Sequence, residues 1–455
     1  MKSEIFEIMK KTTLSILCTL ITLLCSCSSK DATDLLRSVP KETGLLMTVN
    51  IGELNEKLKD GPQAQSVDIN GIFSDLNTKH VELKKNLTVA LDPESGVDFS
   101  LPMLMFERNN AFVVTFILKD KSKFIKNLEQ QNGTKLTDSK GVKANSENTV
   151  FISGDQAWLG TDYPHITTDD INLFNALKED DSVLSLERVA KTIDDKTDIS
   201  CFLSLAYINS VQPMSTQVAL ALNLLFETPR FLQVNASFLK GKIEGNLAIL
   251  NEKGKIANFS MAPGKINVGE LNSFPGKGDV FMALATDSKL MDQLAEQLKS
   301  FPTLPPNVMN AVKNIDGNIV ISLGMNPPNQ GFTAQIGLKS PDASNDLRNL
   351  IEMFGNDLNG ITMTTQGNNF ILSGGNNLQG ASIAEVSKKF DGASFGVVTL
   401  PGFLRARSDS DTAQVIQGVS LMCKPKGQQL EFFYTIDTPA GKNSLLSLIE
   451  LKKSF

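Results

Sequence analysis

Histidine occurs twice in 455 residues, at His80 and His165, tryptophan once, at Trp158, and tyrosine three times. Two imidazoles cannot build an HExxH zinc site or any cluster that needs several histidines. The chain also lacks a GxSxG elbow, a P-loop, a strand-anchored GxGxxG and, beyond its first residues, a CxxC pair. The usual routes to acyl transfer, nucleotide binding and redox chemistry therefore have no motif to start from. The stretch PGKG at 275–278 is a turn signal. No cofactor is implied, and the expectation is a protein with no catalytic chemistry of its own, because function is argued from a site and none is visible.

Aromatic usage narrows the ligands. Sugar faces stack on Trp or Tyr, whereas this chain has 26 Phe, and Phe builds cores where Trp and Tyr make wet surfaces. Trp158, in QAWLG, is the best single platform; packing into a sheet is the plainer reading.

Charge of one sign is not in excess enough to suggest nucleic acid. The formal net charge is −6; three lysines against two glutamates before residue 27 contribute +1, which leaves −7 on the rest. An acidic chain without a Lys/Arg cluster is a poor partner for nucleic acid or anionic headgroups.

Long apolar runs are missing too. The longest near the start is LSILCTLITLL, Leu14 to Leu24, preceded by Lys10 and Lys11. It falls short of the roughly 20 residues of a transmembrane helix and has the length of a signal-peptide core. Directly after it, Leu24-Cys25-Ser26-Cys27 resembles a bacterial lipobox, which makes Cys27 the lipid-bearing residue. Residues 1–26 are then a lipoprotein signal peptide and 27–37 a tether. Acyl chains at about 0.8 kcal/mol per buried CH₂ would hold the protein to a membrane essentially permanently. Cys201 and Cys423, each in an apolar strand-like run, are too few for a disulfide framework. They read as small buried hydrophobes, with a pair between them the alternative.

What the chain does have is self-similarity at a spacing near 200 residues. SVPKETGLLMTVNIGELNEKL (38–58) matches SFPGKGDVFMALATDSKLMDQL (273–294), and NNAFVVTFILKDKSKFIKNL (109–128) matches NQGFTAQIGLKSPDASNDLRNL (329–350). NTVFISGDQAWLG with SLERVAKTIDDKTDISCFLSL matches NNFILSGGNNLQG with SIAEVSKKFDGASFGVVTL. LQVNASFLKGKIEGNLAIL (232–250) matches GVSLMCKPKGQQLEFFYTI (418–436), each two strands about a Gly turn. Period-two alternation marks the strands. Phe124 and Leu128 before Asn132-Gly133, and Ile383, Val386 and Phe390 before Gly392, mark helices with a C-terminal stop. The pattern predicts an α+β fold of two tandem repeats, each a mostly antiparallel sheet with helices packed on one face. Repeat 1 covers 38–255, a linker 256–271 and repeat 2 272–455.

Three polar or apolar stretches compete for function. GTDYPHITTDDIN brings Asp162, His165, Asp169 and Asp170 within nine residues; one imidazole among carboxylates could ligate a metal, but Thr168 as an N-cap with acids in the first helical turn accounts for every residue. RSDSDTAQ (407–414) starts like a calcium loop, then lacks its glycine and glutamate, so a helix start is the better reading. PMSTQVALALNLLFETPRF (213–231) has only RSDSDTAQVIQ opposite it in the second repeat. It predicts an apolar helix stopped by Pro229, either buried on its own sheet or offering Val218, Leu222, Leu224 and Leu225 to the other repeat or to a partner.

The lipobox, the SVPKETGLL strand start close behind it and the duplicated order of strands and helices resemble uncharacterised lipoproteins of Bacteroidota that share a domain of unknown function. That resemblance covers essentially the whole mature chain and implies a compartment rather than an activity: a lipid-anchored outer-membrane protein. Ser29-Lys30-Asp31 matches only part of the surface-export signal found in that lineage, since Ala32 and Thr33 follow, and the periplasmic and surface faces both stay open. The function expected is a non-catalytic interaction or assembly protein of the cell envelope, contacting the membrane through Cys27 and an envelope protein as partner. The alternative is a binding protein for a small or polymeric ligand held between the repeats, where pockets form.

Overall fold

The computed structural model describes residues 31–59, 80–192, 197–261, 264–299, 306–325, 330–354, 360–375, 378, 380–401 and 415–453. The first half runs α1 (Ala32–Arg37), β1 (Leu45–Val49), α2 (Ile51–Lys59), α3 (Val81–Ala90), β2 (Met103–Arg108), β3 (Ala111–Ile117) and α4 (Lys121–Asn132). It continues with β4 (Thr137–Ser139), β5 (Val142–Ala144), β6 (Val150–Ser153), β7 (Gln156–Gly160), α5 (Thr168–Asn175) and α6 (Glu187–Lys191). Then come β8 (Ile199–Ser204), α7 (Leu205–Val211), α8 (Thr216–Leu225), β9 (Phe231–Leu239) and β10 (Lys242–Leu250).

The second half holds α9 (Val268–Leu271), β11 (Lys277–Gly278), β12 (Val280–Thr286), α10 (Ser288–Leu298), α11 (Pro306–Lys313), β13 (Ile315–Gly324) and β14 (Gly331–Leu338). It closes with α12 (Ser344–Phe354), β15 (Ile361–Gln366), β16 (Asn369–Gly375), β17 (Ala381–Ser382), β18 (Phe395–Thr399), β19 (Gly418–Lys426), β20 (Gln429–Asp437) and α13 (Ser444–Lys453).

Eighteen of these strands form one sheet. Its order is β4-β5-β6-β7-β3-β2-β1-β8-β9-β10-β20-β19-β18-β12-β13-β14-β16-β15, every neighbour antiparallel. The expected α+β class with a large antiparallel sheet is therefore observed. The two halves meet at β10 and β20, which pair over seven residues from Lys242↔Asp437 to Ala248↔Glu431.

The expectation of helices on one face needs correction. In β1 and β2 the runs LLMTV and MLMF are apolar on both sides, and alternate residues enter different cores. Leu45, Met103 and Met105 join a core with α2, α3 and α4, whereas Leu46, Leu104 and Phe106 join one with α1, α5 and α6. A strand apolar on both sides must be covered on both. The second half is likewise packed on two sides, by α10, α11 and α12 on one core and by α9 with the turns at Ile383–Glu385 and Ser387–Phe390 on another. Those turns are 3₁₀ rather than the expected α-helix.

Local signals mostly act as read. Asp120 caps α4 at the Lys123 amide, and Gly133 ends it in the left-handed region at φ 68°, where a side chain would be strained. The segment taken as a linker is packed: Ala257 is buried, and bridges join Ile256 to Leu250, Asn258 to Gln429 and Phe259 to Phe226.

Candidate functional site: a polar groove over the seam

Where the halves join, three strands place a grid of side chains on one face. Residues directly opposite in an antiparallel pair share a side of the sheet. Across β9, β10 and β20 the rungs are Gln233–Ala248–Glu431, Asn235–Asn246–Phe433 and Ser237–Glu244–Thr435. All of these but Gln233 and Ala248 line, together with Arg188 and Thr197, a groove of about 570 Å³. The opposite face is apolar: Leu232, Ile249, Leu430 and Phe432 pack there with Cys423 and Phe226. The alternation of the three strands thus separates a wet face from a dry one at the same seam.

Arg188 reaches the grid from α6. Its Nε donates to Gln233 Oε1 at 3.1 Å and an Nη to Glu431 Oε1 at 3.0 Å. Gln233 donates onward to Asn235 Oδ1 at 3.3 Å, and Asn235 to Asn246 Oδ1 at 2.8 Å. One chain of bonds therefore runs from a cation in the first half across two strands. It leaves the Asn246 amide nitrogen, beside Phe433, with no partner among the described residues. Phe433 is 39% exposed. At the other end Lys242 pairs with Glu244 at 2.5 Å. The charges of the groove cancel in these two pairs, so its remaining capacity is amide, hydroxyl and one aromatic ring. That chemistry suits a neutral polar ligand with an apolar face.

Beneath the grid, Tyr434 donates its hydroxyl to the Asn235 carbonyl at 2.7 Å, and burial raises its pKa. The alternative reading of the sequence set a ligand between the repeats but named none of these residues, because Arg188 and Glu431 lie 243 positions apart. The available signal was polar alternation inside strands otherwise rich in apolar residues: QVNAS, KIEGN and LEFFYT.

The residues singled out from sequence fall as follows. Cys27 lies outside the described residues, as does the 407–414 stretch. His165 is exposed, and Asp169 pairs with Lys140 at 2.9 Å on the surface. Asp170 forms a capping box with Thr167, one residue before the expected N-cap. The plain helix-start reading thus describes this loop. Among the described residues no group of three His, Cys, Asp or Glu is placed to hold a metal. Trp158 is fully buried in the core with α1, α5 and α6, so it offers no stacking platform. Cys201 and Cys423 are free thiols on β8 and β19, and burial pushes them up to about 11 and about 12.

The apolar insert does form a helix, α8, capped by Ser215. Leu222 and Leu225 pack with Phe226, Ile249 and Ala257 of the first half and Cys423 and Leu430 of the second. Val218 is 50% exposed. The side chain of Leu224 lies outside the described residues.

No protein-family model matches the sequence, and no curated protein does. Among solved structures, crystal form IV of TP0453 matches with a TM-score of 0.32 at 11% identity, over 47% of this chain and 79% of that one. Crystal form I of TP0453 gives a TM-score of 0.28 at 10% identity, over 54% and 85%. Values this low carry neither fold nor function across.

Proposed function

We propose that this chain is a lipid-anchored cell-envelope protein, built of two tandem α+β repeats, that holds a neutral, hydroxyl-rich ligand such as a glycan in the groove over β10 and β20. The observation that carries the reading is the groove itself, whose grid draws Asn235, Ser237, Glu244 and Asn246 from one half and Glu431, Phe433 and Thr435 from the other.

The sheet order supports the repeats. Counted inward from one side it is β7-β3-β2-β1-β8-β9-β10, and from the other β16-β14-β13-β12-β18-β19-β20. The last strands of the two series then pair antiparallel with each other, the arrangement a twofold relation between halves produces. Three of the four sequence matches fall on strands at equal places in this order. The third is offset by one strand: β7 and β16 are equivalents by pairing, so VFISGDQAWLG faces ITMTTQGNNFILSGG rather than NNFILSGGNNLQG.

The anchor rests on the Cys27 reading, with Asp31 capping α1 four residues later. Among the described residues no helix is long and apolar enough to cross a membrane. Attachment to the outer membrane through lipid is accordingly the mode proposed, with no catalytic step assigned.

The test is calorimetric titration of the mature protein with soluble neutral oligosaccharides, in parallel with Phe433→Ser and Asn246→Leu. Binding by the parent and at least tenfold weaker binding by both variants is the expected result. A ligand bound equally by all three lies elsewhere, and the seam reading fails.

A further inference from the structure

A second cavity, of about 630 Å³, opens among four separate stretches of chain: Lys41–Thr43, Ser204 with Ala206, Thr228–Phe231, and Glu252 with Lys253. We propose that it is a binding site for a small oxyanion, a phosphate or carboxylate group, recognised by Lys41, Arg230 and Lys253.

Three observations converge on it. Five charged residues line the cavity, the three cations with Glu42 and Glu252, and no ion pair joins any of them to another or to any other described residue. Elsewhere the same protein pairs many of its surface lysines and arginines, as in Lys140–Asp169, Lys191–Glu187 and Lys299–Glu296. Here the positive charges outnumber the negative by one, so the cavity carries an excess that an anion would neutralise. Like charges gathered around one concavity repel, and an oxyanion between them relieves that repulsion.

The second observation is Thr43. Its side chain is 7% exposed, it lines the cavity, and its Oγ1 has no hydrogen-bond partner in the protein. A buried hydroxyl left without a partner is costly. That oxygen itself has less than 1 Å² of accessible surface, so a small shift of the wall is needed before an anion oxygen accepts its proton, with the three cations holding the anion in charge-assisted contacts.

The third is that the main chain around the cavity is held before any ligand arrives. The Arg230 backbone is fixed from both sides, its N–H donating to Leu250 O at 2.7 Å and its carbonyl accepting from Leu205 N at 2.9 Å. Lys41 N donates to Asp181 O at 3.0 Å, and Lys253 O accepts from Glu187 N at 3.3 Å. Thr228, two residues from Arg230, sits at φ 48°. A β-branched residue adopts that left-handed conformation only where its surroundings impose it, and such residues gather at ligand clamps.

The anion could come from solution or from a lipid headgroup, since an anchor on Cys27 would hold this protein at a membrane. Both sources are probed with the mature, non-acylated chain. Inorganic phosphate is titrated calorimetrically, and vesicles of phosphatidylglycerol in phosphatidylcholine are compared with pure phosphatidylcholine by flotation. The expected result is saturable binding in at least one arm, weakened tenfold or more in Lys41→Gln/Arg230→Gln and in Thr43→Val. Phosphate binding with no preference between vesicles assigns the site to a free anion; preference for the anionic vesicles without phosphate binding assigns it to a headgroup. Lys253→Gln, at an exposed position, provides the same reading should the other variants lose their fold by circular dichroism. Absence of binding in both arms, or binding that the folded variants keep at full strength, overturns the proposal.

Discussion

The hydroxyl of Tyr434 on β20 reaches past β10 to the main-chain oxygen of Asn235 on β9, at 2.7 Å. Gly245 lies between them in register, opposite Tyr434 on one side and Ala236 on the other. A Cβ at Gly245 would stand 1.9 Å from that oxygen and 2.7 Å from the phenol ring. The glycine is thus required by close approach, not by its φ, and the contact ties the second half of the chain to the second strand in from the seam.

Two substitutions separate the bond from the space. Tyr434→Phe removes one hydrogen bond and should cost about 1 kcal/mol, a small drop in melting temperature. Gly245→Ala forces the ring and the Asn235 backbone apart, so its loss should be several times larger, of the order of 3 kcal/mol by analogy with overpacking. Thermal denaturation of both variants checks this. Equal, small effects would mean that the seam yields easily.

Asp198 is the buried charge most worth removing. Its carboxylate accepts from Lys57 Nζ at 2.6 Å and 2.7 Å and from the Phe238 main-chain N–H at 2.6 Å. It is essentially without solvent. Asp198→Ala strands a cation and a buried donor together, which should destabilise by about 3–5 kcal/mol. Asp198→Asn keeps an acceptor and should lose less. Urea unfolding of the pair of variants measures the difference.

The two free thiols give a prediction in pH. Burial raises Cys201 to about 11 and Cys423 to about 12, from 9.0. An acid whose pKa is raised in the fold ionises first in the unfolded chain. Their contribution to stability is therefore complete below pH 9 and declines as pH climbs through the folded values. At pH 8 the thiolate fraction of Cys201 is about 100-fold below that of an ordinary cysteine. Alkylation by iodoacetamide should be correspondingly slow in the native protein and fast in denaturant. Rapid native labelling of Cys423 would contradict its burial.

Much of this architecture could be read from the chain because strands announce themselves by alternation and turns by glycine. Phe112, Val114 and Phe116 fall on β3, and Phe332, Ala334 and Ile336 on β14, as matched. VFIS and NFILSG have the same pattern, yet β6 pairs with β5 and β7, whereas β16 pairs with β14 and β15, and no alternation reveals that difference in place. Ile383, Val386 and Phe390 share a helical spacing, yet the chain takes them up in two 3₁₀ turns, each with one or two buried apolar side chains on the same core. The residues of both candidate sites escaped the sequence for one reason. The groove and the cavity join residues from distant segments, none of which forms a motif alone. Trp158 misled in the opposite way, standing beside a turn signal yet lying fully inside the core.

The anchor makes a prediction independent of the fold. With Cys27 as the acylated residue, Cys27→Ser should accumulate as unprocessed precursor, and Cys25→Ser should mature normally. Detergent partitioning of envelope fractions distinguishes the two. Maturation and membrane partitioning of the Cys27 variant would remove the lipid from the account, while leaving the seam groove and the cation-lined cavity as they are.

The last prediction concerns what holds the halves together on the dry side of the seam. The α8 insert sends Leu222, Leu225 and Phe226 into a cluster that contains Ile249 and Ala257 from the first half and Cys423 and Leu430 from the second. Phe226 meets Phe259 edge-to-face at 5.6 Å. Phe226→Ala should therefore cost about 3–5 kcal/mol, a buried aromatic deletion, and Leu222→Asp at least as much, since a charge would enter the same apolar space. Val218 faces solvent, so Val218→Asp should leave melting within about 0.5 kcal/mol of the parent. If it does so and envelope crosslinks vanish, the exposed side of α8 is a partner contact in addition to a brace. Were Leu222→Asp to melt like the parent, the helix would not brace the seam, and the halves would rest on the β10–β20 ladder and on α13, whose Leu445 and Leu446 pack in the first-half core with Phe238 and Ile243.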